Sequence, residues 1–149
     1  MARVNVYLPD DLAGEVKLRH LRISALCQDA IRREIDRMNA IKEAPNLRRH
    51  LDDISTLTVE VGDDAVETEF RGAWIIDPDD ATASGDQDAT WGVAVTGRGR
   101  YAVHTRHVNE RPPAQLEDFD TLDELLARLP SDIASIVEGR LTGRRVLDI

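Results

Sequence analysis

The chain has 149 residues, 42% of them hydrophobic and 32% charged, with a single cysteine. That length holds one ordinary domain or two small ones, and the balance is that of a globular chain, not a disordered one. No apolar run approaches the roughly 20 residues needed to cross a bilayer, and the opening Met1-Ala2-Arg3-Val4-Asn5-Val6 lacks a signal-peptide hydrophobic stretch. Cys27 alone can neither staple the fold nor build a cysteine zinc cluster. These features favour a reducing cytoplasm as the location. The net charge of -9 argues at first against a nucleic-acid partner, but it is unevenly spread: residues 1–50 sum to +3 and residues 51–149 to -12. A phosphate backbone responds to local potential, so the first third is free to bind DNA while the acidic remainder faces elsewhere.

Arg3 to Leu8 alternates strictly, with Val4, Val6 and Leu8 on one face and Arg3, Asn5 and Tyr7 on the other. Pro9 ends the strand, and Asp10-Asp11 supply first-turn carboxylates for a helix over about residues 10–19. His20-Leu21-Arg22 is the expected turn, and Ile23-Ser24 opens a second helix with Ser24 as the expected N-cap. The apolar stripe of that helix reads Cys27, Ala30, Ile31, Ile35 and Met38, with Leu26 close to it. A lone six-residue strand satisfies neither its backbone groups nor its apolar side. Two antiparallel copies from two chains, covered by four helices, solve both problems. The expected core of that homodimer is Val4, Val6, Leu8, Ile23, Cys27, Ala30 and Ile31. Its outer face presents two copies of Arg3, Asn5 and Tyr7, and a two-stranded ribbon fits the major groove, where Arg pairs with guanine and Asn with adenine. Ser24 and the amide of Ala25 are placed to clamp a phosphate.

On these residues, RVNVYLPDDL followed by LRISALCQDAIRREI, the chain resembles ribbon-helix-helix antitoxins and repressors, especially those similar to CcdA antitoxins. The resemblance implies a homodimer that reads operator DNA with the odd residues of its strand. One ribbon covers a short stretch of groove, so dimer pairs on double-stranded operator DNA are expected.

The expected division is a ribbon-helix-helix module over residues 1–44, a linker over 45–55 set off by Pro45, and an acidic domain over 56–149. In the last of these, Thr56 to Val61 alternates like a strand and Gly62-Asp63-Asp64 is a turn. A second strand is expected from Val66 to Ile76, bent at Gly72. Thr90–Thr96 and Arg100–Arg106 flank Gly97-Arg98-Gly99, a strong hairpin signal. Leu122, Leu125, Leu126 and Leu129 carry a helical period, with Thr121 and Glu124 as a capping box. Beyond Pro130, Ser131 opens a second short helix with Ile133, Ile136, Val137 and Leu141. The fold class expected is therefore α+β: an intertwined N-terminal dimer module plus an antiparallel sheet of about four strands with one or two helices.

This half resembles the actinobacterial EXLDI proteins, through Phe70-Arg71-Gly72-Ala73-Trp74, Gly99 to His104, and the tail Arg145-Val146-Leu147-Asp148-Ile149, where Arg145 replaces the first Glu of the motif. The resemblance implies a bacterial origin and no established chemistry. The tail is expected to bury Leu147 and Ile149.

Nothing in the pattern points to an enzyme. Asp77, Asp79, Asp80, Asp86 and Asp88 lack the ligand spacing and terminal Glu of a calcium loop and read as a solvated acidic loop. His104 and His107 are three apart, so strand alternation diverges their side chains, and no cysteine is near. Gly97-Arg98-Gly99 fits a turn and not a phosphate loop. No catalytic residue, metal or cofactor is expected. The function expected is a sequence-specific, autoregulatory repressor, nucleoid-associated when bound, whose C-terminal domain binds a partner, a ligand or another dimer. The alternative is an antitoxin of a type II toxin–antitoxin pair whose residues 56–149 neutralise a toxin.

Overall fold

The computed structural model describes residues 3–80, 89–109 and 111–143. The expected acidic residues Asp86 and Asp88, and the tail from Arg145 to Ile149, lie outside them. The chain divides into two compact units, up to Arg33 and from Glu34 onward. Among the described residues no helix is long and apolar enough to cross a membrane.

In the first unit, residues 3–9 belong to no helix or strand. A strand needs a ladder partner, and a single chain offers this segment none. Helix α1, Asp10–Leu18, starts after Pro9, whose carbonyl accepts from the Ala13 amide at 2.9 Å. Asp10 and Asp11 sit in its first turn, where the helix dipole favours carboxylates. At its end His20 takes φ 51. Its amide reaches the Lys17 carbonyl at 3.3 Å and the Leu21 amide reaches that of Val16 at 3.1 Å. This double closure ordinarily recruits glycine at the left-handed position. Helix α2, Ile23–Glu43, already contains Ser24. The first carbonyl it uses is that of Arg22, 3.0 Å from the Leu26 amide, so Arg22 and not Ser24 occupies the cap position.

The second unit holds the remainder of α2 and all later elements. Where a linker was expected over 45–55, the structure places helix α3, Leu47–Asp52. Pro45 does end α2, but Ala44, Leu47 and Leu51 are buried, and the Asn46 amide bonds to the Leu141 carbonyl at 2.8 Å. The apolar spacing of Ala40, Ala44, Leu47 and Leu51 continues the core across the break. Among the described residues five strands follow: β1 Ser55–Val61, β2 Val66–Ile76, β3 Ala89–Thr96, β4 Tyr101–His107 and β5 Gln115–Phe119. They form one sheet in chain order, each antiparallel to the next. The fifth strand answers no alternation in the sequence. Two helices come after the sheet among the described residues, α4 Leu122–Arg128 and α5 Ser131–Thr142. Thr121 caps α4, its hydroxyl accepting from the Glu124 amide at 3.2 Å.

One face of the sheet carries the main core. Ile75, Ile76, Val93, Val95, Tyr101 and Val103 pack there with Leu47, Leu125, Ile133, Val137 and Leu141 from the helices. The register of β2 against β3 shifts between Trp74 and Ile76, and the Arg140 guanidinium donates to the Ile75 carbonyl beside that irregularity at 2.6 Å. Such a bulge leaves a residue without its ladder partner, and α5 supplies a donor for it.

Strand alternation turns Val59, Trp74, Gly92, Ala94, Ala102 and His104 to the opposite face. The sheet curls on that side. A Cβ at Gly72 would lie 2.8 Å from the Val95 carbonyl oxygen and 3.0 Å from the Phe70 ring, so the bend needs glycine. The tip of the β1–β2 hairpin is clasped to distant strands at two points. The Gly62 amide donates to the Ala114 carbonyl at 2.9 Å, and His104 Nε2 donates to the Glu60 carbonyl at 2.8 Å. With its acceptor a carbonyl, that nitrogen carries the proton.

Candidate functional site

The residues expected to read DNA lie at the start of the first unit. Arg3 and Asn5 are exposed, and Tyr7 is 89% exposed. Their neighbours expected in a dimer core are not covered either: Val4 is 83% exposed and Val6 52%, while Leu8 is half-buried. The single chain therefore does not sort the two sides of the segment into a wet and a dry face.

The helices behave alike. Ile31 is 58% exposed, Ala30 is exposed, and Ile23 and the free thiol Cys27 are half-buried. Leu12, Leu18, Leu21 and Leu26 are also exposed. Among the described residues up to Arg33, none is buried. A unit whose apolar residues are at best half-buried has little to set against the entropy of ordering its chain.

Ser24 and Ala25 occupy the first turn of α2 and are exposed. The amides of Ile23, Ser24 and Ala25 precede the first intrahelical donor, Leu26, so they point out of the helix end without an intrahelical acceptor. Three donors at the positive end of a helix dipole favour an anion. The charges nearby differ in availability. Arg19 is paired with Glu15 at 2.9 Å and Arg33 with Asp29 at 2.8 Å, both exposed, and such pairs are worth about 0–1 kcal/mol. Arg3, Lys17, Arg22 and Arg32 make no ion pair among the described residues. Lys17 and Arg22 were not singled out in the sequence; their signal was only the excess of basic residues in the first third.

In the second unit the turn Asp77-Pro78-Asp79-Asp80 is held by the Asp77 side chain, which accepts from the Asp79 amide at 2.9 Å. No group of three or more metal-binding side chains is present among the described residues. His50 of α3 is half-buried, and that burial lowers its pKa from the ordinary imidazole value. Its hydrogen bond to the Trp74 backbone and the charge of Asp53 oppose the shift. His104 is not a ligand candidate but a clasp: it is 5% exposed, with Nε2 committed to Glu60. Its signal was present in the alternation of β4, which places it on the same face as Ala102.

No protein-family model and no solved structure matches the chain significantly. It is similar to Antitoxin VapB3 of Mycobacterium tuberculosis, in strains CDC 1551 / Oshkosh and ATCC 25618 / H37Rv, with 53% identity over 36 residues. That is 24% of this chain and 41% of the relative, so the likeness spans less than half of either protein. It supports an antitoxin-like N-terminal module.

Proposed function

We propose that the chain is an antitoxin-type DNA-binding protein. In this reading two copies pair through residues 3–8 as a ribbon-helix-helix dimer and bury the apolar stripe of Ile23, Cys27, Ala30 and Ile31. Arg3, Asn5 and Tyr7 then read bases in the major groove of an operator. The first-turn amides of α2, with Ser24 and Ala25, hold a flanking phosphate, and Arg22 and Arg32 add unpaired charge. The acidic second unit occupies the basic surface of a toxin. The observation that carries the reading is the 53% identity over 36 residues to an antitoxin, and the coreless first unit supports the dimer.

A second reading is an autoregulatory repressor that neutralises no toxin. One observation favours it: the second unit has its own buried core in the single chain, whereas a tail that folds only on its partner buries little alone.

Two measurements test these readings. Footprinting on the DNA upstream of the chain's own coding region should show protection that weakens steeply with salt and is lost in Arg3→Ala and Asn5→Ala. Unchanged protection by both variants removes the ribbon as the reader. Separately, the product of the adjacent reading frame should arrest growth when expressed alone and cease to do so when this chain is co-expressed. No arrest, with footprinting intact, leaves the repressor.

A further inference from the structure

Beneath the β1–β2 hairpin the curled face of the sheet encloses a cleft of about 560 Å³, bordered by Val59, Pro78, Thr90, His104, Arg106 and His107. A recess of about 110 Å³ shares Arg106 and His107 with it and extends to Ala65 and Pro113. The volume is of the size that takes small molecules, and the mouth of a curled sheet is a frequent place for them.

The cleft is built into the fold. Gly92 lies opposite His104 in the register, and a Cβ there would stand 2.9 Å from the Trp74 ring and 3.1 Å from Pro78. The absence of a side chain at Gly92 thus lets the Trp74 ring and Pro78 close over the sheet and set one border of the cleft, while the two clasps hold the β1–β2 hairpin at another.

Its charge is asymmetric. Arg106 shares the inner face with His104 by strand alternation, is exposed, and makes no ion pair among the described residues. His107 follows it at the end of β4. Glu60 contributes its carbonyl, already taken by His104, and alternation with the buried Val59 turns its carboxylate to the outer face. The exposed Asp79, in the turn after β2, also lines the cleft, and the exposed Asp63 lines the recess. Among the strand residues that alternation turns to the cleft, the permanent charge is therefore the Arg106 guanidinium, which matches a carboxylate in two parallel hydrogen bonds.

We propose that this cleft binds a small organic anion, its carboxylate on Arg106 and its apolar body against Val59 and Pro78. The inference is independent of the DNA and toxin readings.

Benzoate and benzylammonium, alike in size and opposite in charge, test it by amide NMR on the isotope-labelled full chain. Benzoate should move the Thr90, Arg106 and His107 resonances saturably, and benzylammonium should not. Arg106→Gln should weaken benzoate about tenfold or more, the loss expected for a charge-assisted hydrogen bond. Arg71→Gln, an exposed guanidinium on the outer face, should change nothing. Thr90→Trp, which fills the cleft and keeps Arg106, should abolish binding with the rest of the spectrum retained. Absence of saturable shifts with millimolar benzoate overturns the proposal. So does an equal or stronger response to benzylammonium, or wild-type affinity in Arg106→Gln or Thr90→Trp.

Discussion

Truncating Ile31 to Ala probes whether the first unit is completed by a second copy. In one chain Ile31 remains 58% exposed. Full burial of such a side chain is worth about 1.5–3 kcal/mol, so a dimer that covers the rest gains about 1–1.7 kcal/mol per chain, or about 2–3.5 kcal/mol for the pair. Ala keeps only a methyl group of that and costs the helix nothing in propensity. With about 1.4 kcal/mol per decade, the dimer should dissociate roughly 10- to 100-fold more readily. Sedimentation equilibrium of wild type and variant over a range of concentrations measures this directly. Val66→Ala is the control, because Val66 is 59% exposed but lies in the second unit. If Ile31→Ala dissociates at the wild-type concentration, or Val66→Ala shifts the equilibrium as far, the apolar stripe of α2 does not make the dimer.

Other consequences follow from single residues. His20 sits at φ 51, where a side chain costs about 1–2 kcal/mol; His20→Gly should stabilise the first unit by about 0.5–1 kcal/mol after glycine's greater unfolded freedom is counted, read by urea unfolding with circular dichroism. Burial, with the nearby Glu43 charge, pushes the Tyr101 phenol up to about 12 from 10.0. Raised in the folded state, it contributes stability that is present in full below pH 10 and lost as the pH climbs through about 12. Ultraviolet titration of Tyr7→Phe, which leaves Tyr101 as the only tyrosine, should place its midpoint near 12, and a midpoint near 10 in the folded protein contradicts this account of its burial. Gly72→Val must displace either the Val95 backbone or the Phe70 ring and should cost about 1–3 kcal/mol, seen as a lower melting temperature; an unchanged one means the bend does not depend on glycine.

What could be read in advance follows physical locality. The β3–β4 hairpin was legible because Gly97 and Gly99 mark a turn, and Gly99 does take φ 78. The cap of α4 was legible because Thr121 and Glu124 stand three residues apart. Helix α3 was not, since Pro45 signals a break and six residues carry too little periodicity to announce a helix. Its burial is decided by α5 and the sheet, far away in sequence. Strand β5 was hidden for the same reason: Gln115-Leu116-Glu117-Asp118-Phe119 is polar, and its place depends on pairing with β4. In the candidate site, Arg3, Asn5 and Tyr7 were named by alternation alone, and that alternation acquires a wet and a dry side only against a second strand. The cleft residues escaped notice because His104 and Arg106 gain their meaning from a hairpin that begins about forty residues earlier.

The two clasps on the β1–β2 hairpin have a bearing on self-association. A five-stranded meander has two border strands, and an unpaired border is a template on which foreign strands can nucleate. Joining Gly62 to Ala114 and His104 to Glu60 turns one border toward the other end of the same sheet. In the proposed dimer, the first unit recruits a copy of the chain while the sheet of the second has to refuse one. With two of its border hydrogen bonds made internally, the second unit offers foreign strands less of an edge, which in that reading leaves self-recognition to the first.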